Sequence, residues 1–232
     1  MVDTNGDEPT PRIPLLKIAA LVGDRGVAMI DVRAILAVPT AYRLLGRIIG
    51  GNGRETYARE YLRVQPGDRV LDIGCGPGDI LSYLPACQYV GLDADASYIE
   101  AARKRFGVRA EFHIGFAESV ELENESFDVV MANGVLHHLT DIQASAMLSR
   151  VHKVLRPGGR FVTLDGCFTN DQSWIARRML KADRGEHVRE EPAYISLAKQ
   201  AFSDVQSVVR HNLLRVPYTH IILTCTRTAR EV

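Results

Sequence analysis

The residues with the clearest chemical potential form a glycine-rich segment, residues 70–79, of sequence VLDIGCGPGD. Its three glycines at alternate positions are Gly74, Gly76 and Gly78. They follow an apolar run typical of a strand and precede the run ILSYL at 80–84, which we interpret as a helix. Glycine at a strand-to-helix turn allows left-handed torsions and lets the main chain approach a ligand closely. The segment therefore predicts a ligand-binding turn.

Two carboxylates flank this turn. Asp72 stands two positions before the first glycine, and Asp93 follows that glycine by nineteen positions, at the end of the next apolar run. An acid at the second position can accept hydrogen bonds from ribose hydroxyls. Asp72 could orient an ammonium group, directly or through water. Together the two acids favour a ligand that has both a ribose and a positive centre.

A dinucleotide is the main alternative ligand for such a loop. The dinucleotide pattern G-x-G-x-x-G places a third glycine where a helix N-terminus holds the pyrophosphate. This chain has Asp79 at that position, and its carboxylate would repel a diphosphate. The pattern thus disfavours an NAD(P)-dependent oxidoreductase, which stays as the alternative function.

The elements that must position these residues are strands alternating with helices from residue 66 onward. Such alternation indicates right-handed βαβ units and a parallel sheet. Helices are predicted at 98–106 and 142–155, the second ended by Arg156-Pro157-Gly158-Gly159. Parallel strands are predicted at 69–73, 89–92, 110–114, 127–132 and 160–164, and a closing antiparallel hairpin at 205–209 and 220–225.

The rest of the chain divides around this core into one structural domain overall. Residues 1–12 are interpreted as a flexible tail and residues 13–65 as an N-terminal helical cap, based on an apolar stripe of helical spacing at 41–49. Residues 166–203 separate two predicted strands by far more than the dozen or so residues a helical crossover requires. We interpret this segment as an insertion over one end of the sheet.

Four segments resemble, in order and spacing, the motifs of the class I S-adenosylmethionine-dependent methyltransferases, and in particular small-molecule enzymes of the type 11/25-like group. They are VLDIGCGPG (70–78), VGLDAD (90–95), FDVVMANGVLHHL (127–139) and VLRPGGRFVTLD (154–165). The resemblance implies an α/β, Rossmann-like seven-stranded sheet of order 3-2-1-4-5-7-6 with strand 7 antiparallel. It identifies residues 66–232 as the methyltransferase domain and S-adenosyl-L-methionine as the cofactor.

The resemblance also implies roles for individual residues. The backbone of the glycine loop would line the methionine part of the cofactor beside Asp72, and Asp93 would bind the ribose. Phe116 stands where the family often has an acid that contacts the adenine amino group, which leaves backbone groups of Phe116 and Ala117 or the side chain of Glu118. The implied cofactor-binding residues are Asp72, Gly74, Cys75, Gly76, Gly78, Asp93, Ala94, Phe116, Ala117, Asn133 and Gly134.

Tandem histidines, His137 and His138, follow the fourth predicted strand and are the candidate catalytic residues. Histidine can exchange a proton near neutral pH, which a hydroxyl acceptor would require. The alternative for His138 is a structural role, in which its ring bonds to backbone and holds the loop. His137 is then the freer candidate for a base.

Composition narrows the class of partner. The 28 basic residues balance the 28 acidic ones, so no excess of positive charge favours nucleic acid. No apolar run reaches the roughly 18–20 residues that span a bilayer, and the four scattered cysteines indicate reduced thiols, no metal site and a cytoplasmic protein. We therefore expect methyl transfer to O or N of a small-molecule, sugar or lipid-like acceptor. A catalytically silent methyltransferase-like binding module is a further alternative.

Overall fold

The computed structural model describes residues 52–117, 119–182 and 185–228. The predicted tail and residues 13–51 of the predicted cap lie outside this part of the chain. The described portion begins with α1 (Gly53–Tyr57), which continues into a π-helical turn (Ala58–Leu62). The guanidinium of Arg160 donates to the Leu62 and Arg63 carbonyls, and this fixes the end of that turn on the sheet.

The centre of the fold is one mostly parallel sheet. The strands are β1 (Arg69–Ile73), β2 (Gln88–Asp93), β3 (Ala110–Ile114), β4 (Phe127–Asn133), β5 (Leu155–Phe168), β6 (Arg189–Glu190), β7 (Asp204–Arg210) and β8 (His220–Thr226). Their order is β3-β2-β1-β4-β5-β8-β7, with the short β6 paired to the end of β5, and β8 is antiparallel to both neighbours. The predicted order is confirmed, since the two-residue β6 raises the numbers of the last two strands by one.

Helices cover both sides of the sheet. After α1 the helices are α2 (Ala96–Phe106), α3 (Asp141–Val154), α4 (Trp174–Ala182) and α5 (Glu191–Ala198), and two short 3-10 helices lie at Asp79–Tyr83 and Leu136–His138. On one side of the sheet α3 and α5 pack on residues such as Leu71 and Val130, and on the other α1 and α2 pack on Val70 and Met131. Adjacent strand residues thus face opposite cores, as in any strand buried on both faces.

Side-chain caps explain where two of the helices begin. The Asp95 carboxylate accepts hydrogen bonds from the Ser97 and Tyr98 amides at the start of α2. Thr140 and Gln143 form a reciprocal capping box at the start of α3. Each cap satisfies amides that have no partner within the helix. Within the described residues, no helix combines the length and apolarity needed to cross a membrane.

The structure corrects the prediction for residues 155–168. Arg156-Pro157-Gly158-Gly159 was expected to separate a helix from a strand at 160–164, but α3 ends at Val154 and β5 runs without interruption from Leu155 to Phe168. The pairing register with β4 shifts between Phe127 and Val129, opposite this segment. Proline and glycine are tolerated in a strand at such an irregularity, so these residues distort the strand without ending it.

Phe161 tests the packing of this strand. Its ring is fully buried and stacks on Phe202, with centroids 6.2 Å apart. We expect Phe161→Ala to lower the free energy of unfolding by about 3–5 kcal/mol, because it leaves a cavity in the core. Val208→Ala on β7, where the side chain is 41% exposed, is the control and should cost less than about 1 kcal/mol. Equal losses in urea denaturation would contradict this assignment of the core.

Candidate active site

The glycine loop begins at the carboxyl end of β1. It contains three glycines in the left-handed conformation, Gly74, Gly76 and Gly78, with φ of 72°, 52° and 73°. A Cβ atom on Gly74 would lie 2.6 Å from Cγ2 of Val135, so the loop packs tightly against the segment after β4. At Gly76 a Cβ would meet no heavy atom of the described residues within 4 Å, so this position is open on their side. The loop therefore presents its backbone at Gly76 for close approach by a ligand.

Cys75 lies within this loop, and its side chain is 8% exposed. Its amide, like that of Gly74, donates to the Leu92 carbonyl. Burial, followed by the charges of Asp72 and Asp93, raises the pKa of the Cys75 thiol, which stays protonated. The structure thus favours a backbone contribution from Cys75 over a nucleophilic thiol.

Asp72 is a buried carboxyl group directly below the loop, with 1% of its surface exposed. Its Oδ2 accepts a 2.5 Å hydrogen bond from the Tyr89 hydroxyl, and its Oδ1 has no hydrogen-bond partner among the described residues. Burial raises the pKa of Asp72 to about 7; the bond from Tyr89 lowers it and the charge of Asp93 raises it. A buried acceptor without a partner is costly, and a cationic ligand would satisfy it.

Asp93, at the end of β2, is half-buried and ties the second strand to the loop. One carboxylate oxygen accepts from the Gly76 amide and the other from the Asp95 amide, both at 2.8 Å. A carboxylate oxygen has more than one lone pair, so each can accept a further hydrogen bond. Ala94, the next residue, is exposed beside it.

Asn133 and Gly134 end the adjoining strand β4. Asn133 lies on the same sheet face as Met131, and Met131 is the register partner of Asp72. Its Oδ1 is buried and, like Oδ1 of Asp72, lacks a hydrogen-bond partner in the described part of the chain. The structure therefore places two buried acceptor oxygens on one face of neighbouring strands. Gly134 turns the chain away with φ of 70°.

Phe116 and Ala117 follow β3 and lie next to Asp93, because the preceding Gly115 amide donates to the Asp93 carbonyl at 2.9 Å. Phe116 is 64% exposed, whereas Ala117 is buried. The Phe116 amide already donates a hydrogen bond to the Ser119 hydroxyl oxygen, at 3.0 Å. Glu118, the third predicted adenine contact, is outside the described residues.

The two histidines are in different environments. His137 is 6% exposed, and both its backbone amide and its ring Nδ1 contact Oδ1 of Asp165, at 3.2 and 2.9 Å. His138 is exposed, with its ring 4.2 Å from the His137 ring. His137, expected to be the freer base, is therefore the anchored ring. Asp165 was not singled out from the sequence, although an acid that ends an apolar strand was a signal for it.

Arg189 on β6 was also not predicted. Its guanidinium donates to the carbonyls of Leu136 and Leu139, at 2.9 and 2.6 Å, and to the carboxylate of Asp141 at 2.8 Å. It also lies over the Tyr194 ring, 5.7 Å from the centroid. Arg189 thus binds the segment after β4 to the long crossover that precedes α5.

Asp79 has less influence on ligand choice than its sequence position indicated. Its carboxylate forms ion pairs with Arg105 at 2.5 Å and Arg54 at 3.7 Å, so these cations compensate the charge expected to repel a diphosphate. A different feature now disfavours a dinucleotide. The predicted helix after Gly78 is a five-residue 3-10 helix, Asp79–Tyr83, which is too short to present the N-terminus that holds a pyrophosphate.

Residues 70–159 match the family model described as "Methyltransferase domain". The chain is 34% identical over 133 residues to the uncharacterized methyltransferase sll0829 of Synechocystis, a match that covers 55% of this chain and 63% of the relative. It is 30% identical over 138 residues to the ubiquinone/menaquinone biosynthesis C-methyltransferase UbiE of Desulfotalea psychrophila, covering 56% and 55% of the two chains. The chain thus spans less than two thirds of the length of these relatives.

The fold is also that of solved methyltransferases. Phosphoethanolamine N-methyltransferase 2 of Haemonchus contortus, solved with phosphomonomethylethanolamine and S-adenosylhomocysteine, superposes with a TM-score of 0.68 at 17% identity. The superposition covers 86% of this chain and 60% of that structure. At this identity the likeness concerns the architecture of the sheet and its helices.

The raised pKa of Asp72 predicts a pH dependence of stability. The folded protein holds this proton to about pH 7, whereas the unfolded chain releases it near pH 3.9. Ionisation therefore costs folding free energy as pH rises between these values. We expect the free energy of unfolding of Asp72→Asn, relative to that of the wild type, to rise by about 3–4 kcal/mol from pH 4 to pH 7.

Urea denaturation at a series of pH values measures this difference. Glu100→Gln, at an exposed position of α2, is the control and should follow the wild type at every pH. A difference between Asp72→Asn and wild type that is constant with pH would contradict the buried, protonated state of Asp72.

The contacts of Arg189 predict a local effect. We expect Arg189→Gln to lower the free energy of unfolding by about 2–3 kcal/mol, because three carbonyls (Leu136, Leu139 and His187) and a carboxylate lose a charged donor. Amide hydrogen exchange at residues 134–139 should accelerate more than exchange in β1. Arg178→Gln, an exposed change on α4, should alter neither. Unchanged exchange at 134–139 would rule out this role for Arg189.

Proposed function

We propose that the protein is a class I S-adenosylmethionine-dependent methyltransferase that binds this cofactor at the carboxyl ends of β1 and β2, because residues 70–159 match the family model of a methyltransferase domain. It then transfers the methyl group to a small molecule. The observation that carries the proposal is the buried Oδ1 of Asp72, which lacks a partner among the described residues beneath a loop of left-handed glycines.

The residues present fit the chemistry of this cofactor. Its ammonium is a donor for the buried oxygens of Asp72 and Asn133, which face the same side of neighbouring strands. The open position at Gly76 allows the methionine part to approach the backbone. A neutral or anionic ligand would leave the ionised Asp72 without compensation, so these residues favour a cation.

The nucleoside part is assigned to the second and third strands. Asp93 would accept hydrogen bonds from the ribose hydroxyls while it holds the Gly76 amide. Ala94, Phe116 and Ala117 would bind the adenine, with the exposed Phe116 ring available for stacking. In this arrangement the adenine contact is mainly apolar.

When bound, the cofactor supplies a methyl group on a sulfonium leaving group, so the reaction is an in-line displacement. The protein then has to align the acceptor with the methyl and exclude water. Asn133 and Gly134 would lie beside the reacting atoms, and His137 would position their loop through Asp165. His138, the exposed ring, is the better candidate to accept a proton from a hydroxyl acceptor.

The acceptor is proposed to be a small-molecule, sugar or lipid-like compound. O or N of the acceptor is the favoured methylated atom. Carbon is a third candidate, because one of the similar proteins is a C-methyltransferase of quinone biosynthesis. A cytoplasmic enzyme without a nucleic-acid substrate agrees with the balanced charge and the reduced cysteines. A silent binding module is disfavoured because Asp72, the glycines and Asp93 are all in place.

Isothermal titration with S-adenosylmethionine and S-adenosylhomocysteine tests the proposal. We expect both to bind the wild type, and Asp93→Ala to bind at least about tenfold more weakly because it loses charged hydrogen bonds. Affinity should rise as pH increases through about 7, since Asp72 then ionises to receive the ammonium. Asp72→Asn should remove that part of the pH dependence.

Glu100→Gln is again the control and should bind as the wild type does. Binding of NADH in place of S-adenosylhomocysteine would support the oxidoreductase alternative. The absence of cofactor binding, or equal affinity in wild type and Asp93→Ala, would contradict the proposed function.

A further inference from the structure

A cavity of about 370 Å³ lies between the start of α1 and residues 211–219, which join β7 to β8. In the register of the sheet, Arg210 at the end of β7 stands opposite His220, and His220 opposite Gly166 near the end of β5. The loop after Arg210 therefore emerges at the same edge of the sheet as the glycine loop. The cavity opens on the edge to which we assign the cofactor.

The charged and hydroxyl side chains that line this cavity are hydrogen-bond donors. They include Arg210, Arg215 and Thr56, and none of the lining residues that the structure describes is a carboxylate. Asn212 uses its Oδ1 to accept from Nε of Arg210 at 3.1 Å, which leaves its amide group as a donor. A cavity lined in this way is complementary to an anion.

Arg210 is held in a fixed position. Its Nη1 donates to the Tyr61 hydroxyl at 2.6 Å and lies 3.6 Å from a carboxylate oxygen of Glu60, and Nη2 forms no hydrogen bond with the described residues. Arg215 has no hydrogen bond or ion pair in the same part of the chain. Glu60 thus compensates one of the two guanidinium charges, and no carboxylate of the described residues pairs with the second. Guanidinium groups with unused N–H donors bind carboxylates and phosphates well.

The position of the cavity bears on the acceptor. Strands β4, β5, β8 and β7 are successive neighbours. Arg210 lies three strand spacings across the sheet and two residues along the strand from Asn133, a distance of about 16 Å. Tyr218 lies between them: a Cβ on Gly166 would be 2.7 Å from its hydroxyl, and its ring is 4.7 Å from that of His220. An aromatic surface therefore separates the cationic cavity from the proposed reacting position.

We propose that this cavity binds the anionic end, a carboxylate or phosphate, of an elongated acceptor whose methylated atom lies near Asn133. The inference rests on the proposed function for the identity of the reacting position. Anion binding itself depends only on Arg210, Arg215 and the donors around them. The two parts can therefore be tested separately.

The experiment titrates the chain with inorganic phosphate and, in a second arm, with acetate. Arginine side-chain NMR locates the response and isothermal titration measures the affinity. We expect the Arg210 and Arg215 signals to shift, and affinity to fall about tenfold in Arg210→Gln and about threefold in Arg215→Gln. Arg178→Gln removes an equal charge from exposed α4 and should leave the affinity unchanged.

The outcomes distinguish the possibilities. Tighter binding of phosphate identifies a phosphate-bearing acceptor, and tighter binding of acetate a carboxylate. Should Arg210→Gln fail to fold, the exposed Arg215→Gln decides. No shift at either arginine, or an equal loss in Arg178→Gln, would overturn the inference. Titration of the same samples with S-adenosylhomocysteine separates the two proposals: cofactor binding without anion binding sinks this inference alone, whereas anion binding without cofactor binding sinks the proposed function.

Discussion

Burial of the Asp72 carboxyl is the constraint on which the site depends. Folding places it on a central strand, where Tyr89 satisfies one oxygen and, within the described residues, nothing satisfies the other. The cost of this burial appears as a pKa raised to about 7. Nearby phenols are affected as well, since burial and the charge of Asp72 both raise the pKa of Tyr57. Folding thus leaves an acceptor that a cationic ligand can satisfy on binding.

The segments around this carboxyl are fixed in place by their contacts with one another. Gly74 has no room for a Cβ beside Val135, so the glycine loop packs closely against the segment after β4. Asp165, on β5, bonds to His137 of the same segment. Arg189, in the crossover, donates to two carbonyls of that segment, those of Leu136 and Leu139. Neighbouring strands and the crossover therefore share one rigid frame, which is what alignment of an acceptor with a methyl donor requires.

Local sequence patterns predicted the sheet order and the glycine loop, because apolar runs and glycine spacing involve residues that are close together in the sequence. They failed at Arg156-Pro157-Gly158-Gly159, where backbone hydrogen bonds of Gly158 and Gly159 to Arg227 carry the strand through a segment whose residue types signal a stop. Asp165 and Arg189 escaped attention because their partners, His137 and Leu136, are 28 and 53 residues away. The charge of Asp79 was misjudged for the same reason, since Arg105 is remote in sequence.

We expect the chain to bind S-adenosylmethionine with its ammonium on the buried carboxylate of Asp72. A crystal structure of the full chain with S-adenosylhomocysteine would show whether it does. The ammonium should lie within hydrogen-bond distance of Asp72 Oδ1, and the ribose hydroxyls should lie on Asp93. A ligand bound elsewhere, or one whose ammonium is turned away from Asp72 so that Oδ1 still lacks a donor, would contradict it.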